Sequence, residues 1–163
     1  MIIIRGATIN AFLIVVMLVV GSGRLFAADY NNLKYSYSIF YPTEFLTAGR
    51  ELTAEDGIVF TAKTGKAEFR VYGSYNVLHY SPRKIADEGS EDCPAKKASY
   101  RVVKPTLVAV SCETQSEIIY QKTLIKDDRL VTFSGRYPKS ERVIWDSVTA
   151  QMARKFQIHQ PSR

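Results

Sequence analysis

The chain has 163 residues, with 22 Lys and Arg against 16 Asp and Glu, so its formal net charge is +6. The basic residues are dispersed among acids and form no basic run, a pattern that argues against a nucleic-acid-binding protein. The length suits one globular domain with its own hydrophobic core.

The first 28 residues have the order of a secretory signal peptide. Arg5 precedes an uncharged apolar stretch over residues 11–20, and the small pair Ala27–Ala28 precedes the polar chain. The stretch is shorter than the roughly 20 residues of a membrane-spanning helix. We therefore predict a signal peptide over residues 1–28, a periplasmic or secreted protein, and no membrane span after cleavage. The alternative is an uncleaved signal anchor, because neither cleavage position has the small-x-small pattern.

Strand patterns begin after the signal peptide. Leu33–Tyr41 alternates between apolar and polar positions, which predicts a half-buried strand ended by Pro42. Residues 43–55 show no clear pattern and are predicted to form a loop. The runs 58–62 and 67–75 flank a turn and predict a β-hairpin.

A short helix is predicted next, from Ser81–Pro82 to Gly89. Serine can cap the first amides of a helix, and proline at its first position loses no needed hydrogen bond. Further β-prone runs, separated by turn residues, predict strands over residues 100–103, 107–112, 116–125 and 130–137.

The last element has a helical period, with an apolar residue at every fourth position: Ile144, Val148, Met152 and Phe156. Trp145 lies beside this stripe, and the pattern predicts a helix with one apolar face. We expect Trp145, Met152 and Phe156 to lie in the core. Residues 158–163 are mostly polar and predict a flexible tail.

These elements predict an α+β fold in a single domain over residues 29–157. Successive strands joined by tight turns form an antiparallel β-sheet. One face of such a sheet must be covered, and the apolar stripe of the C-terminal α-helix suits that position. We predict that the C-terminal α-helix and the shorter helix together cover the sheet.

Cys93 and Cys112 are the two cysteines of the chain. In an exported protein, two cysteines most simply form a disulfide. The alternative is a zinc site with His79 and His159 as further ligands, but the spacing fits no zinc pattern.

Several local motifs follow one another along the chain in a distinctive order: Tyr30–Asn32, Phe40–Pro42, Asp56–Gly57 before Phe60, Val71–Gly73, Tyr100–Lys104, Ile119–Lys122, Phe133, Tyr137–Pro138 and Lys155–Phe156. Over nearly all of residues 30–156, this order resembles the PsbP-like and DcrB-like superfamily of small exported bacterial proteins. The resemblance implies an α-β-α sandwich around an antiparallel sheet. It also implies binding to other macromolecules, as in a lumenal subunit of photosystem II and a Ran-binding import factor. No functional residue is carried over from these proteins.

No catalytic or cofactor motif occurs in the sequence, which lacks Gly-x-Ser-x-Gly, His-Glu-x-x-His and a Gly-rich phosphate loop. A hydrolase would have to use His79 as the base, Ser74 or Ser81 as the nucleophile and an acid from residues 87–92. The four acids of that loop lack the spacing of a calcium site, so a solvated loop is favoured. We predict no metal, no cofactor and no catalytic residue.

A partner surface is predicted around the end of the hairpin and the following loop, because tyrosine and arginine are enriched at interfaces. Its residues are Arg70, Tyr72, Tyr75, His79 and Tyr80. The sequence thus favours a non-catalytic exported module that binds another envelope protein. The alternatives are a small-ligand carrier with an apolar pocket between helix and sheet, and a hydrolase with an unrecognised site.

Overall fold

The computed structural model describes residues 27–161, so the predicted signal peptide lies outside the described residues except for Ala27 and Ala28. The described part forms these strands and α-helices: β1 (Ala27–Asn32), β2 (Tyr37–Pro42), β3 (Leu46–Glu51), β4 (Gly57–Ala62), β5 (Glu68–Tyr75), α1 (Pro82–Glu88), β6 (Tyr100–Lys104), β7 (Leu107–Glu113), β8 (Glu117–Lys126), β9 (Arg129–Pro138), α2 (Arg142–Lys155) and β10 (Gln157–Ile158). Within this part, neither helix is long and apolar enough to cross a membrane.

Most of the strands form one seven-stranded antiparallel sheet in the order β3-β4-β5-β9-β8-β7-β6, while β1, β2 and β10 form a second, three-stranded sheet. The small sheet and α2 cover one face of the large sheet, and their apolar side chains share a single core. The short helix α1 packs against β6 and β7 through a separate apolar cluster. The predicted α+β fold is therefore confirmed.

The core is aromatic, and Phe69 of β5 lies at its centre. Its ring centroid is 6.0 Å from that of Phe133 and 5.9 Å from that of Trp145. The ring lies over Gly135 of β9, where an added Cβ atom would be 2.5 Å from the ring carbons Cδ1 and Cε1 of Phe69. Glycine at this position lets the ring lie flat on the sheet, because any side chain would occupy the same space.

Two predictions about the first strands are wrong. The strand predicted over Leu33–Tyr41 begins only at Tyr37, because the chain turns before it and Ser36 has a φ of 52°. Leu33 is 84% exposed as a result. The predicted loop over residues 43–55 contains β3, whose register shift between Ala48 and Glu51 breaks the alternation that would reveal a strand.

The apolar stripe of α2 differs from the predicted one at its first position. Ile144 is 49% exposed, whereas Trp145 is 2% exposed and lies in the core with Met152 and Phe156, as predicted. Four residues turn an α-helix through about 400°, so a strict four-residue repeat drifts around its surface by about 40° per step. The buried face therefore starts at Trp145, and Ile144 lies outside it, partly exposed to solvent.

The chain after α2 is attached to the rest of the protein by a buried arginine. Arg129 donates hydrogen bonds to the carbonyl oxygens of Tyr35, at 2.9 Å, and His159, at 3.1 Å. The backbone amide of His159 also donates to Ser36, and β10 pairs with β2. The flexible tail predicted from residue 158 is therefore wrong for Ile158 and His159, while residues 162–163 lie outside the described part.

Replacing Trp145 with alanine tests which face of α2 is buried. We expect Trp145→Ala to lower the free energy of unfolding by about 3 kcal/mol or more, because it removes a large side chain from the core and leaves a cavity. Ile144→Ala, on the neighbouring exposed position, should change it by no more than about 0.5 kcal/mol. Urea unfolding of both variants measures the difference, and equal losses would show that the helix packs on another face.

Candidate functional site

The large sheet has one filled face and one face that is only partly covered. The small sheet and α2 cover the first face, whereas α1 covers the second mainly over β6 and β7. Over β5, β9 and β8, the second face instead opens into a cleft of about 540 Å³. This cleft, between the end of α1 and the outward side chains of β5, is the candidate functional site.

The floor of the cleft follows from strand alternation. Outward-facing residues of β5 and β9, among them Arg70, Tyr72, Ser134 and Arg136, point into it, together with Gln121 of β8. Their neighbours along each strand point into the aromatic core on the other face. The sheet thus presents a row of amide, hydroxyl, phenol and guanidinium groups on a rigid base.

The wall of the cleft is the end of α1 and the loop that follows it. A Cβ atom on Gly89 would lie 2.7 Å from Nε2 of Gln121, so glycine lets the helix end approach the floor closely. The loop is joined to β7 by a disulfide between Cys93 and Cys112, whose Cα atoms are 5.8 Å apart. The disulfide that the sequence predicted therefore holds the wall against the sheet.

Acidic residues of this wall form ion pairs with surrounding basic residues. Asp87 pairs with Arg101, Glu88 with Lys84, Glu91 with Lys96 and Asp92 with Arg136. Their oxygens do not converge on one point, and the described residues contain no group of three or more His, Cys, Asp or Glu side chains that could hold a metal ion. The acidic loop therefore has a structural explanation in these pairs.

The charged groups of the floor are paired but accessible to solvent. Arg70 contacts Glu68 at 2.9 Å, and Arg136 contacts Asp92 at 2.9 Å and Glu117 at 3.5 Å. Ion pairs this exposed each contribute about 0–1 kcal/mol to stability. A charged partner can therefore replace one half of such a pair at little cost to the fold.

Tyr72 is the aromatic group of the floor. Burial raises the pKa of its phenol, while a hydrogen bond with Thr132 and the charge of Arg70 oppose that effect. The phenol thus stays protonated well above neutral pH and keeps its capacity to donate a hydrogen bond. Tyrosine is one of the residue types enriched among the residues that dominate binding energy at protein interfaces.

The structure separates the five residues of the predicted partner surface. Arg70 and Tyr72 lie together in the cleft. Tyr75 points to the opposite face of β5, where its ring centroid is 5.3 Å from that of Tyr35. His79 is exposed in the loop before α1, and Tyr80 packs beside the α1 cluster with Lys84 near its ring.

In the described part of the chain, the residues named for catalysis and for zinc binding are not arranged as those sites require. The hydroxyl of Ser81 accepts a hydrogen bond from the Lys84 amide and caps α1, as its sequence position predicted. Among residues 27–161, no hydrogen bond joins the ring of His79 to a serine or an acid, and its backbone amide bonds to Asn76. Cys93 and Cys112 are bonded to each other.

Sequence reasoning missed the part of the cleft that β8, β9 and the disulfide loop contribute. Gln121, Ser134 and Arg136 lie on strands that were predicted, at positions where alternation directs them outward. The sequence therefore contained the signal that directs these side chains outward. It did not contain the strand order, which places β9 between β5 and β8 and so brings these residues next to Arg70.

No protein-family model and no curated protein matches the chain. Among solved structures, the chain is similar to the solution structure of cyanobacterial PsbP (CyanoP) from Synechocystis sp. PCC 6803, with a TM-score of 0.63 and 12% sequence identity. The match covers 85% of this chain and 96% of that chain. A likeness at this identity shows the fold alone, so the predicted PsbP-like fold is confirmed and the DcrB-like resemblance stays a prediction.

Removing the disulfide tests how much this cross-link stabilises the folded protein. The double variant Cys93→Ser/Cys112→Ser should lower the free energy of unfolding by about 3 kcal/mol, because the cross-link restricts the unfolded chain. Urea unfolding measures the loss. In a companion experiment, alkylation of the denatured, non-reduced wild-type protein should add no mass, and two alkylated thiols would contradict the pairing.

Proposed function

We propose that this protein is an exported, non-catalytic module that binds another protein of the cell envelope through the cleft. The observation that carries the proposal is the unequal covering of the large sheet. One face is filled by an aromatic core, while the other is left open over β5, β9 and β8 and lined with hydrogen-bonding and charged side chains.

The chemistry of the cleft suits a polar protein surface. Gln121, Ser134 and Tyr72 offer donors and acceptors that are fixed by paired strands, so little conformational entropy is lost when a partner binds. Arg70 and Arg136 offer guanidinium groups whose present pairs are exposed. Arginine and tyrosine are, with tryptophan, enriched among the residues that dominate binding energy at protein interfaces.

A small-ligand carrier is less well supported. It requires an apolar pocket between helix and sheet. In the described part of the chain, the space between α2 and the large sheet is occupied by rings, among them Phe69, Phe133 and Trp145. The cleft lies on the other face and is lined mainly by polar and charged groups.

Export is supported by two independent features. The N-terminal sequence has the order of a signal peptide, and the Cys93–Cys112 disulfide is typical of proteins in oxidising compartments. The PsbP-like fold adds nothing to this point, because a fold does not by itself identify a function.

Cross-linking in intact cells, followed by tagged pull-down and mass spectrometry, tests the proposal. We expect one reproducible envelope protein with the wild type and its loss with Tyr72→Ala and Arg70→Ala, since both residues lie in the cleft. Tyr75→Ala is the matched control, because it removes the same side chain from the opposite face of the same strand.

The outcomes separate the possible surfaces. Loss of the partner with Tyr80→Ala, and not with Tyr72→Ala, would move the binding surface to the loop before α1. Loss with Tyr75→Ala alone would move it to the opposite face of β5. No partner above background with the wild type would contradict the proposal. Thermal melting of each variant confirms that a lost partner does not reflect a lost fold.

A further inference from the structure

The strand β6 forms one edge of the large sheet. Within residues 27–161 it pairs with β7 and with no other strand. The hairpin between them has a two-residue turn, with Lys104 paired to Leu107. A pair that closes such a turn is hydrogen-bonded on its inner side, and the inner and outer directions then alternate along the strand.

This alternation directs the backbone groups of Arg101 and Val103 away from β7. Tyr100, Val102 and Lys104 use their amides and carbonyls for the pairing with β7. No described residue forms a hydrogen bond with the backbone groups of Arg101 or Val103. The edge thus offers two donors and two acceptors in the spacing of a further antiparallel strand.

The side chains beside this edge are apolar at two positions. They lie on opposite faces of the strand: Tyr100 is 54% exposed and Val103 is 41% exposed, so each can contact a side chain of an added strand on its own face. Val103 also lines a shallow apolar notch with Pro82 and Pro105, beside the start of α1. A small apolar side chain opposite Val103 would enter this notch.

The charges beside the edge are positive. Arg83 and Lys104 line the notch, and neither forms an ion pair with another described residue. Arg101 has its side chain at 2.7 Å from Asp87. An acidic strand would therefore be attracted to the end of the edge at which Arg83 and Lys104 lie.

A second copy of this chain does not fit the edge as well. Two β6 strands paired about a twofold axis would bring Arg83, Arg101 and Lys104 of both copies together, and like charges this close repel. Lysine on an edge strand is a known protection against self-association. The same charge that disfavours a second copy favours an acidic partner.

We propose that β6 accepts, as an added antiparallel strand, an extended segment of a partner protein in which acidic residues alternate with small apolar ones. The backbone of Arg101 and Val103 supplies the hydrogen bonds, and the notch takes one apolar side chain on the face that α1 covers. The acidic residues then alternate onto the opposite face, beside Lys104, while Arg83 at the notch adds to the positive potential. Strand addition of this kind combines main-chain bonding with side-chain selection. The surface is separate from the cleft, since α1 and β7 lie between them.

Titration of the isotopically labelled protein with a short blocked peptide of alternating glutamate and valine, followed by NMR, tests the proposal. We expect the largest amide shifts at Arg101 and Val103, together with slower hydrogen exchange at both amides. The variant Arg83→Glu/Lys104→Glu should bind this peptide at least tenfold more weakly. Both side chains point to solvent, so thermal melting should be unchanged.

Two control peptides test separately the main-chain pairing and the selection for acidic residues. The same peptide with N-methylated valines keeps its charge but cannot pair as a strand, and it should not shift Arg101 or Val103. A peptide with lysine in place of glutamate should bind at least tenfold more weakly than the acidic one. Equal binding of either control, no shift at Arg101 and Val103, or self-association of the chain through β6 in sedimentation would overturn the proposal.

Discussion

The packing of Phe69 on Gly135 is the contact on which the arrangement of the two faces depends. It joins β5 to β9 at the middle of the large sheet and places one ring against Phe133 and Trp145. These rings lie on one face of the sheet, and α2 and the small sheet pack against them on that face. The hydrophobic effect therefore concentrates the covering elements on one face, and only the short helix α1 remains for the other.

A half-covered sheet is a natural position for a binding surface. The strands are held by the core behind them, so side chains on the open face are fixed without being buried. In this protein the disulfide adds a wall, and the ion pairs of Arg70 and Arg136 supply charge that a partner can share. One face of the sheet thus supplies stability, and under the proposed function the other supplies recognition.

Local patterns predicted much of the fold, because alternation, turn residues and a helical period are local properties. The hairpin of β4 and β5, the cap at Ser81 and the buried Trp145 follow from them. The irregular strand β3 and the attachment of His159 do not, since one has a register shift and the other depends on Arg129, thirty residues earlier. The cleft was only half predicted, because Tyr72 and Ser134 become neighbours through strand order, which no local pattern contains.

Site-specific photo-cross-linking in intact cells tests most directly whether recognition belongs to the open face. A photoreactive amino acid would replace Lys66, an exposed residue of the cleft lining that leaves Arg70 and Tyr72 in place, and, in a second strain, Val143, which is exposed at the start of α2 on the opposite side. We expect one discrete adduct with an envelope protein from position 66 and none from position 143. An adduct from position 143 alone would show that the partner binds the covered side, and the assignment of the two faces would then be wrong.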